Sequence, residues 1–262
     1  MELQIHVLSK PGGRANNEDA YGVWSNSDAC FCAISDGAGG HLAGEVASRL
    51  AIKQVLGCFY RTPKTAAETL ELALKSANDA IVYEQQQSPE TADMRATILV
   101  LAIDTANATA RWAHIGDTRL YCFRGQRIVA QTRDHSVVQS MVDAGYLEQK
   151  NLRAAPRRNA LFAALGDAQS FAPSVEQRPF PVRDGDLFLL CTDGFWEYLD
   201  EAQMEHWLSL AESPDAWLRQ LESEVLKSGR TDQDNYSALV VSCTEAEERT
   251  RMPSAADAGL LK

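Results

Sequence analysis

A chain of 262 residues with 45% hydrophobic and 23% charged side chains has the length and balance of a globular protein with one sizeable core. Its formal net charge of −11 sets the surface against nucleic acid and anionic membrane, although bound cations could invert the field of a single cleft. The N-terminus has no basic segment leading into an apolar core, and no apolar run approaches the roughly 20 residues that span a bilayer, so a cytoplasmic protein without membrane segments is expected.

Short runs at residues 4–8, 20–24 and 30–35 read as strands. Two helical patterns follow. Val46, Leu50, Val55 and Phe59 form one apolar stripe and Leu70, Ala73, Ala77 and Ile81 a second, separated by Pro63, with Thr65 placed to cap the second helix. Residues 97–103 read as a strand buried on both faces, and 108–115 and 119–124 as two more, the last turning at Gly125. Residues 136–145 are helical in pattern. The polar stretch 146–178, carrying Arg153, Arg157 and Arg158, reads as an excursion from the core, a flap. Residues 187–191 are a buried strand, 200–210 and 215–227 two helices, and 238–243 a final strand. From 245 to 262 charge, Pro253 and few apolar residues predict a disordered tail, which leaves 1–244 as the folded domain. The cysteines (Cys30, Cys32, Cys58, Cys122, Cys191 and Cys243) lie mostly within apolar runs and never at C-x-x-C spacing, predicting buried thiols and neither a disulfide framework nor structural zinc. Strands come in blocks and helices in pairs. That pattern predicts an α+β layered domain of mainly antiparallel sheets covered by helices, not a doubly wound parallel sheet.

Acidic residues recur at strand ends. Asp36, Asp117 and Asp193 each follow an apolar run, Asp234 precedes one, and Glu18-Asp19 sits just before the strand at Ala20. A lone Asp-Gly after a strand is an ordinary turn. Several such residues on neighbouring strands would converge at one rim of the core, where unpaired carboxylates repel and are costly to desolvate. Cations would have to neutralise them, or some would stay protonated. An all-oxygen donor set without His or Cys favours Mg²⁺ or Mn²⁺ over zinc or copper. Two such ions sharing a carboxylate could activate a water, and Gly37, lacking a Cβ, lets its carbonyl approach an ion. Arg14, four residues before Glu18, offers a planar fork for phosphoryl oxygens, although alone it would read as a surface residue.

The motifs Arg14-Ala15-Asn16-Asn17-Glu18-Asp19, Asp36-Gly37-Ala38-Gly39-Gly40-His41, Gly116-Asp117-Thr118-Arg119, Thr132-Arg133-Asp134-His135, Pro156-Arg157-Arg158-Asn159, Asp193-Gly194 and Asp234-Asn235 occur in this order. Together they resemble those of the PPM/PP2C phosphatases, most closely the bacterial branch, over about residues 3–243. The resemblance implies a four-layer β-sandwich flanked by helix pairs, with two Mn²⁺ or Mg²⁺ ions at one end. It implies that Asp36 bridges the ions, that the Gly37 carbonyl binds one, and that Asp193 and Asp234 bind the other. Glu18 and Asp19 would act through water, Asp117 would help hold a third, weaker ion, and Arg14 would contact the phosphate. The implied activity is hydrolysis of phosphoserine and phosphothreonine in proteins by a monomer opposing a bacterial Ser/Thr kinase. The sequence is also similar to phosphatases encoded with type VI secretion systems, where the partner would be a forkhead-associated scaffold.

Three features depart from that family. Ala38 stands where animal members place a histidine taken as the general acid and bacterial relatives often place methionine. Arg95, in Met94-Arg95-Ala96-Thr97, replaces a glycine. Residues Ala20-Tyr21 are ordinary where a phosphate-contact strand is expected. His41 could substitute as an acid or be structural. His114 reads as a satisfied core residue, His135 as a local hydrogen-bonding residue and Trp196 as packing. A catalytically silent module would not need Asp36, Asp193 and Asp234, and a nuclease would want a basic stripe that this chain lacks.

Overall fold

The computed structural model describes residues 1–39, 43–167, 169–227 and 231–245. Its strands and helices follow in chain order as β1 (Glu2–Lys10), β2 (Ala20–Ser25), β3 (Ala29–Ser35), β4 (Gly37–Ala38), α1 (Ala43–Arg61), α2 (Ala67–Gln85), β5 (Arg95–Ala96), β6 (Ile98–Asp104), β7 (Thr109–Ile115), β8 (Arg119–Arg124), β9 (Arg127–Gln131), α3 (Val137–Asp143), β10 (Ser174–Val175), β11 (Phe180–Pro181), β12 (Leu187–Cys191), α4 (Asp193–Trp196), α5 (Glu201–Leu210), α6 (Pro214–Leu226) and β13 (Tyr236–Thr244). One sheet has the order β1-β13-β12-β8-β9; the other runs β10-β7-β6-β3-β2, with β11 also on β7. Every pairing between these strands is antiparallel.

Side-chain alternation along each strand divides the interior into three layers of apolar contact. Cys32, Ile34, Leu99 and Leu101 face Leu120, Cys122, Leu190 and Val241 between the two sheets. On the other face of the β3–β6–β7 sheet, Phe31, Ala33, Val100 and Ala113 pack against α1 and α2. On the outer face of the β12–β13 sheet, Leu189, Val240 and Tyr121 meet Trp217, Leu221 and Val225 of α6 and Met204 of α5. Helix pair, sheet, sheet, helix pair: this is the four-layer α+β sandwich expected. The cysteines are all free thiols, and all but Cys58 are buried.

Several local expectations need correction. The α1 stripe is built mainly of alanine: Ala43, Ala47 and Ala51 are buried with Val55 and Phe59, whereas Val46 is 39% exposed. Small side chains let α1 lie close, and Phe59 stacks on Phe31 with ring centroids 4.0 Å apart. The N-cap of α2 is Ala66 and not Thr65, and no side chain caps it. β9, β10, β11 and the two-residue ladder β4–β5 had no clear sequence signal; they are short, or polar and half-exposed. Residues 146–178 turn back onto the core. Leu152, Ala163 and Leu165 are buried, Leu165 exchanges both backbone hydrogen bonds with Ala96, and β10 joins β7. Of the predicted tail only Glu245 belongs to the described residues.

Candidate metal centre

The strand registers bring the acidic residues to one end of the sandwich. Ser35 at the end of β3 pairs with Ala20 at the start of β2, Ile115 at the end of β7 with Ile98 at the start of β6, and Cys191 at the end of β12 with Arg119 at the start of β8 and Ala238, two residues into β13. The residues just beyond these ends are Glu18-Asp19, Asp36, Asp117, Asp193 and Asp234. Asp117 lies where the chain crosses from one sheet to the other. Arg14, Glu18, Asp36, Gly37, Asp117, Asp193 and Asp234 all line one cavity of about 400 Å³, with Asp19 buried behind it. His41 lies outside the described residues.

The backbone of each acidic residue is held in place. The Asp36 N–H donates to Thr97 Oγ1 at 3.0 Å and its carbonyl accepts from the Thr97 N–H at 2.8 Å, while Thr97 Oγ1 lies 2.6 Å from Thr118 Oγ1. Gly37 admits no side chain, since a Cβ would lie 1.9 Å from the Gly44 carbonyl oxygen. Gly194 is equally constrained, its Cβ position being 2.1 Å from the Asn235 carbonyl oxygen, so the Asp193 and Asp234 segments are in close contact. Asn235 also anchors the N-terminal loop: its Oδ1 accepts from the Glu18 N–H at 2.8 Å and its Nδ2 donates to the carbonyls of Pro11 and Asn16 at 2.9 and 2.8 Å. Arg14 is exposed at the rim and donates to Asp234 Oδ2 at 3.1 Å.

The electrostatics of the cavity are those of uncompensated anions. Burial first, then the charges of Asp19, Asp193, Asp117 and Asp234, push the Asp36 carboxyl well above the ordinary aspartate range. Asp117 is raised by burial and then by Asp193 and Asp134, and Asp193 by burial and then by Asp234. Asp36 and Asp193 keep a solvent-facing edge on the cavity although protein surrounds them, so both burial and mutual repulsion act on them. Glu18 is raised by burial and by Asp234, partly offset by Arg14. Asp19 accepts from Thr192 Oγ1 at 2.9 Å through Oδ2, but its buried Oδ1 has no partner.

An orphaned buried carboxylate oxygen and a ring of oxygen donors fit hard divalent cations. Among the described residues no three acidic, histidine or cysteine side chains close a coordination shell by themselves. An ion held here would have to complete its shell with its own waters. The raised carboxyls predict a pH signature. Burial drives the Asp19 carboxyl from 3.8 to about 7, offset in part by neighbouring hydroxyls, among them the Thr192 donor. A raised carboxyl binds a proton in the fold that the unfolded chain has released, so its contribution is full below 3.8 and lost as pH rises to about 7. Cations replace those protons. The melting-temperature gain of Mn²⁺ over chelator should therefore be larger at pH 7.5 than at pH 5, corresponding to about 2.7 kcal/mol at a hundredfold excess over Kd. Equal gains at both pH values would count against the cluster as the binding site.

Residues not singled out as site components prove to support it. Trp196 Nε1 donates to the Asp117 carbonyl at 2.9 Å, its ring lies 3.5 Å beneath the Arg119 guanidinium, and Arg119 forks onto Asp134 at 2.8 and 2.7 Å. His135, expected to bond locally, instead ties distant segments together: its Nδ1 accepts from the Gly116 N–H at 3.2 Å, its backbone N–H donates to the Gly116 carbonyl at 2.9 Å, and its Nε2 lies 2.8 Å from Ser174 Oγ. His114 is only half satisfied, with Nε2 2.8 Å from the Arg133 carbonyl oxygen and Nδ1 buried without a partner. Arg119 stands within the Gly116-Asp117-Thr118-Arg119 motif and Trp196 reads as packing, but the contact between them is set by the fold.

The protein phosphatase 2C family model matches residues 12–232. The serine/threonine phosphatase Stp of Listeria innocua is 31% identical over 255 residues, covering 94% of this chain and 95% of that one. The catalytic domain of the serine/threonine phosphatase PstP, solved with two manganese ions, superposes with a TM-score of 0.78 at 28% identity, over 93% of this chain and 99% of that one. PppA of Pseudomonas aeruginosa, described as a key regulatory component of the type VI secretion system, superposes with a TM-score of 0.73 at 29% identity, over 92% and 98%. The chain belongs to the protein phosphatase 2C family, the PPM class of serine/threonine phosphatases.

Proposed function

We propose that this chain, through a domain comprising residues 1–244, hydrolyses phosphoserine and phosphothreonine in proteins with two bound divalent cations, Mn²⁺ or Mg²⁺. The observation that carries this reading is the convergence of Asp36, Asp117, Asp193 and Asp234 on one cavity with the Arg14 guanidinium at its rim. The cations, when bound, would neutralise the carboxylates and supply a water acidic enough to attack phosphorus. Asp36 would bridge them, its backbone held by Thr97; the Gly37 carbonyl would serve one ion, Asp193 and Asp234 the other. Glu18 and Asp19 would hold water, which gives the orphaned Asp19 Oδ1 a donor. Asp117 would serve a third, weaker ion. Arg14 is exposed and tied only to Asp234, so it is free to turn its fork onto phosphoryl oxygens. Ala38 has no acidic proton and no histidine lines the cavity among the described residues; water held by the cations would protonate the departing alkoxide, with His41 as the alternative acid.

The biological setting inferred is a cytoplasmic monomer opposing a Ser/Thr kinase, with a forkhead-associated scaffold of a type VI secretion system as substrate. The likeness to PppA supports the type VI secretion part of this setting. Phosphate release from a phosphothreonine peptide should appear with Mn²⁺ or Mg²⁺, vanish with chelator and return on adding metal. No release with any divalent cation would overturn the reading in favour of a silent module.

A further inference from the structure

Arg95 is the cation of this cavity that the catalytic reading leaves unused. It opens β5, directly opposite Ala38 in the β4–β5 ladder, with Ala96 opposite Gly37. Directly opposed residues of an antiparallel pair share one face with Cβ atoms about 5 Å apart. The Arg95 side chain therefore rises beside a methyl group at the mouth of the cavity, and both residues line it. Nothing bulkier at position 38 covers the guanidinium.

Of the other cations near this mouth, Arg14 rests on Asp234 and is assigned to the phosphoryl group, and Arg158 is paired with Glu197. Arg95 donates through Nη1 to the Met94 carbonyl at 2.9 Å and forms no ion pair among the described residues. The acidic residue that feels the Arg95 charge, Asp167, forms no ion pair with it, and its Oδ1 accepts the backbone N–H groups of Gln169 and Ser170 at 2.9 and 3.1 Å. A half-buried guanidinium without an ion pair among the described residues, lining the same strongly acidic cavity, is placed to meet an anion brought in by the substrate. The chain turns of residues 161–165 flank the same mouth, where Leu161 and Ala164 line the cavity and Leu165 bonds to Ala96, so a bound peptide leaving the cavity along β4–β5 passes Arg95.

We propose that Arg95 is a substrate-selecting residue that binds a second anionic group, a carboxylate or a phosphate, on a residue neighbouring the phosphorylated one. This rests on the phosphatase reading. The test uses the full chain with Mn²⁺ and phosphothreonine peptides whose neighbouring positions carry Ala, Glu, Lys or a second phosphothreonine. The wild type should favour the anion-flanked peptides over the Ala-flanked one by about tenfold in kcat/KM, the scale of one charge-assisted hydrogen bond. Arg95→Ala should bring that ratio to about one, and Arg95→Glu should turn it toward the Lys-flanked peptide. The Glu and phosphothreonine arms decide which anion is read. Turnover of every peptide with no flank preference, a ratio unchanged in Arg95→Ala, or an equal loss on all peptides would overturn the role of Arg95 alone. No turnover of any peptide by the wild type would overturn the phosphatase reading itself.

Discussion

Asp36→Asn is expected to lower kcat on a phosphothreonine peptide by at least about 10³-fold while the metal-free protein melts at a higher temperature than the wild type. The two effects share one cause. Asparagine has nearly the shape of aspartate, and the bonds that fix this position run through the backbone to Thr97, so the local structure survives. What disappears is the charge. In the folded wild type that carboxyl is raised far above its ordinary value by burial and by four neighbouring aspartates. The unfolded chain ionises this carboxyl above its ordinary value, so at neutral pH the metal-free fold must either take up a proton there or bury a charge, and either lowers its stability. Asparagine resembles the protonated form at every pH, so the repulsion is relieved and metal-free stability rises. The same change removes the carboxylate proposed to bridge the two cations, so the melting-temperature gain on adding Mn²⁺ should shrink together with turnover. Thermal melts with chelator and with Mn²⁺, beside steady-state kinetics, check all three. Wild-type turnover in the variant, or a lower metal-free melting temperature, would sink the assignment of Asp36.

Arg119→Met should be the most destabilising single change behind the site. Arg119 and Asp134 are 1% and 5% exposed, and their two parallel hydrogen bonds are made almost without water. Removing the guanidinium leaves the Asp134 carboxylate buried and unpaired, a loss of about 3–5 kcal/mol. At about 2–4 °C per kcal/mol for a domain of this size, the melting temperature should fall by roughly 10 °C. The Trp196 indole loses the cation above its ring, and with it the firm seating of the Nε1–H bond to the Asp117 carbonyl. Arg119→Lys should recover only part, because an ammonium cannot reproduce the planar fork. Replacing both partners by apolar residues of similar volume should recover more, because no orphaned charge remains. Urea unfolding of the single and double variants measures this. A single variant within about 1 kcal/mol of the wild type would show that the pair is not a support of the loop carrying Asp117.

The long strands and the α2 stripe were legible because their signals are local. Residues 98–104 and 187–191 are apolar on both faces because sheets and helices cover both, and Leu70, Ala73, Ala77 and Ile81 repeat at the period of a helix that buries one side. The α1 face was misread because alanine is a weak apolar signal, yet it is favoured where a helix must approach closely. β4–β5 could not be read at all. Two residues have no periodicity, and this ladder exists because Ala96 and Arg95 are brought beside Gly37 and Ala38 by the strands that follow and precede them.

The amino-acid sequence by itself determined which residues could take part: acidic side chains just outside apolar strands, glycines beside them, and an all-oxygen chemistry suited to hard cations. Only the tertiary structure decided that Asp36, Asp117, Asp193 and Asp234 face one cavity, that Asp19 keeps an oxygen without a donor, and that Trp196, Arg119 and Asn235 hold the loops around them. Apolar periodicity is a property of neighbours along the chain. The meeting of carboxylates is a property of sheet order and register, and the mutual charges that shift their protonation act through space between residues far apart in sequence.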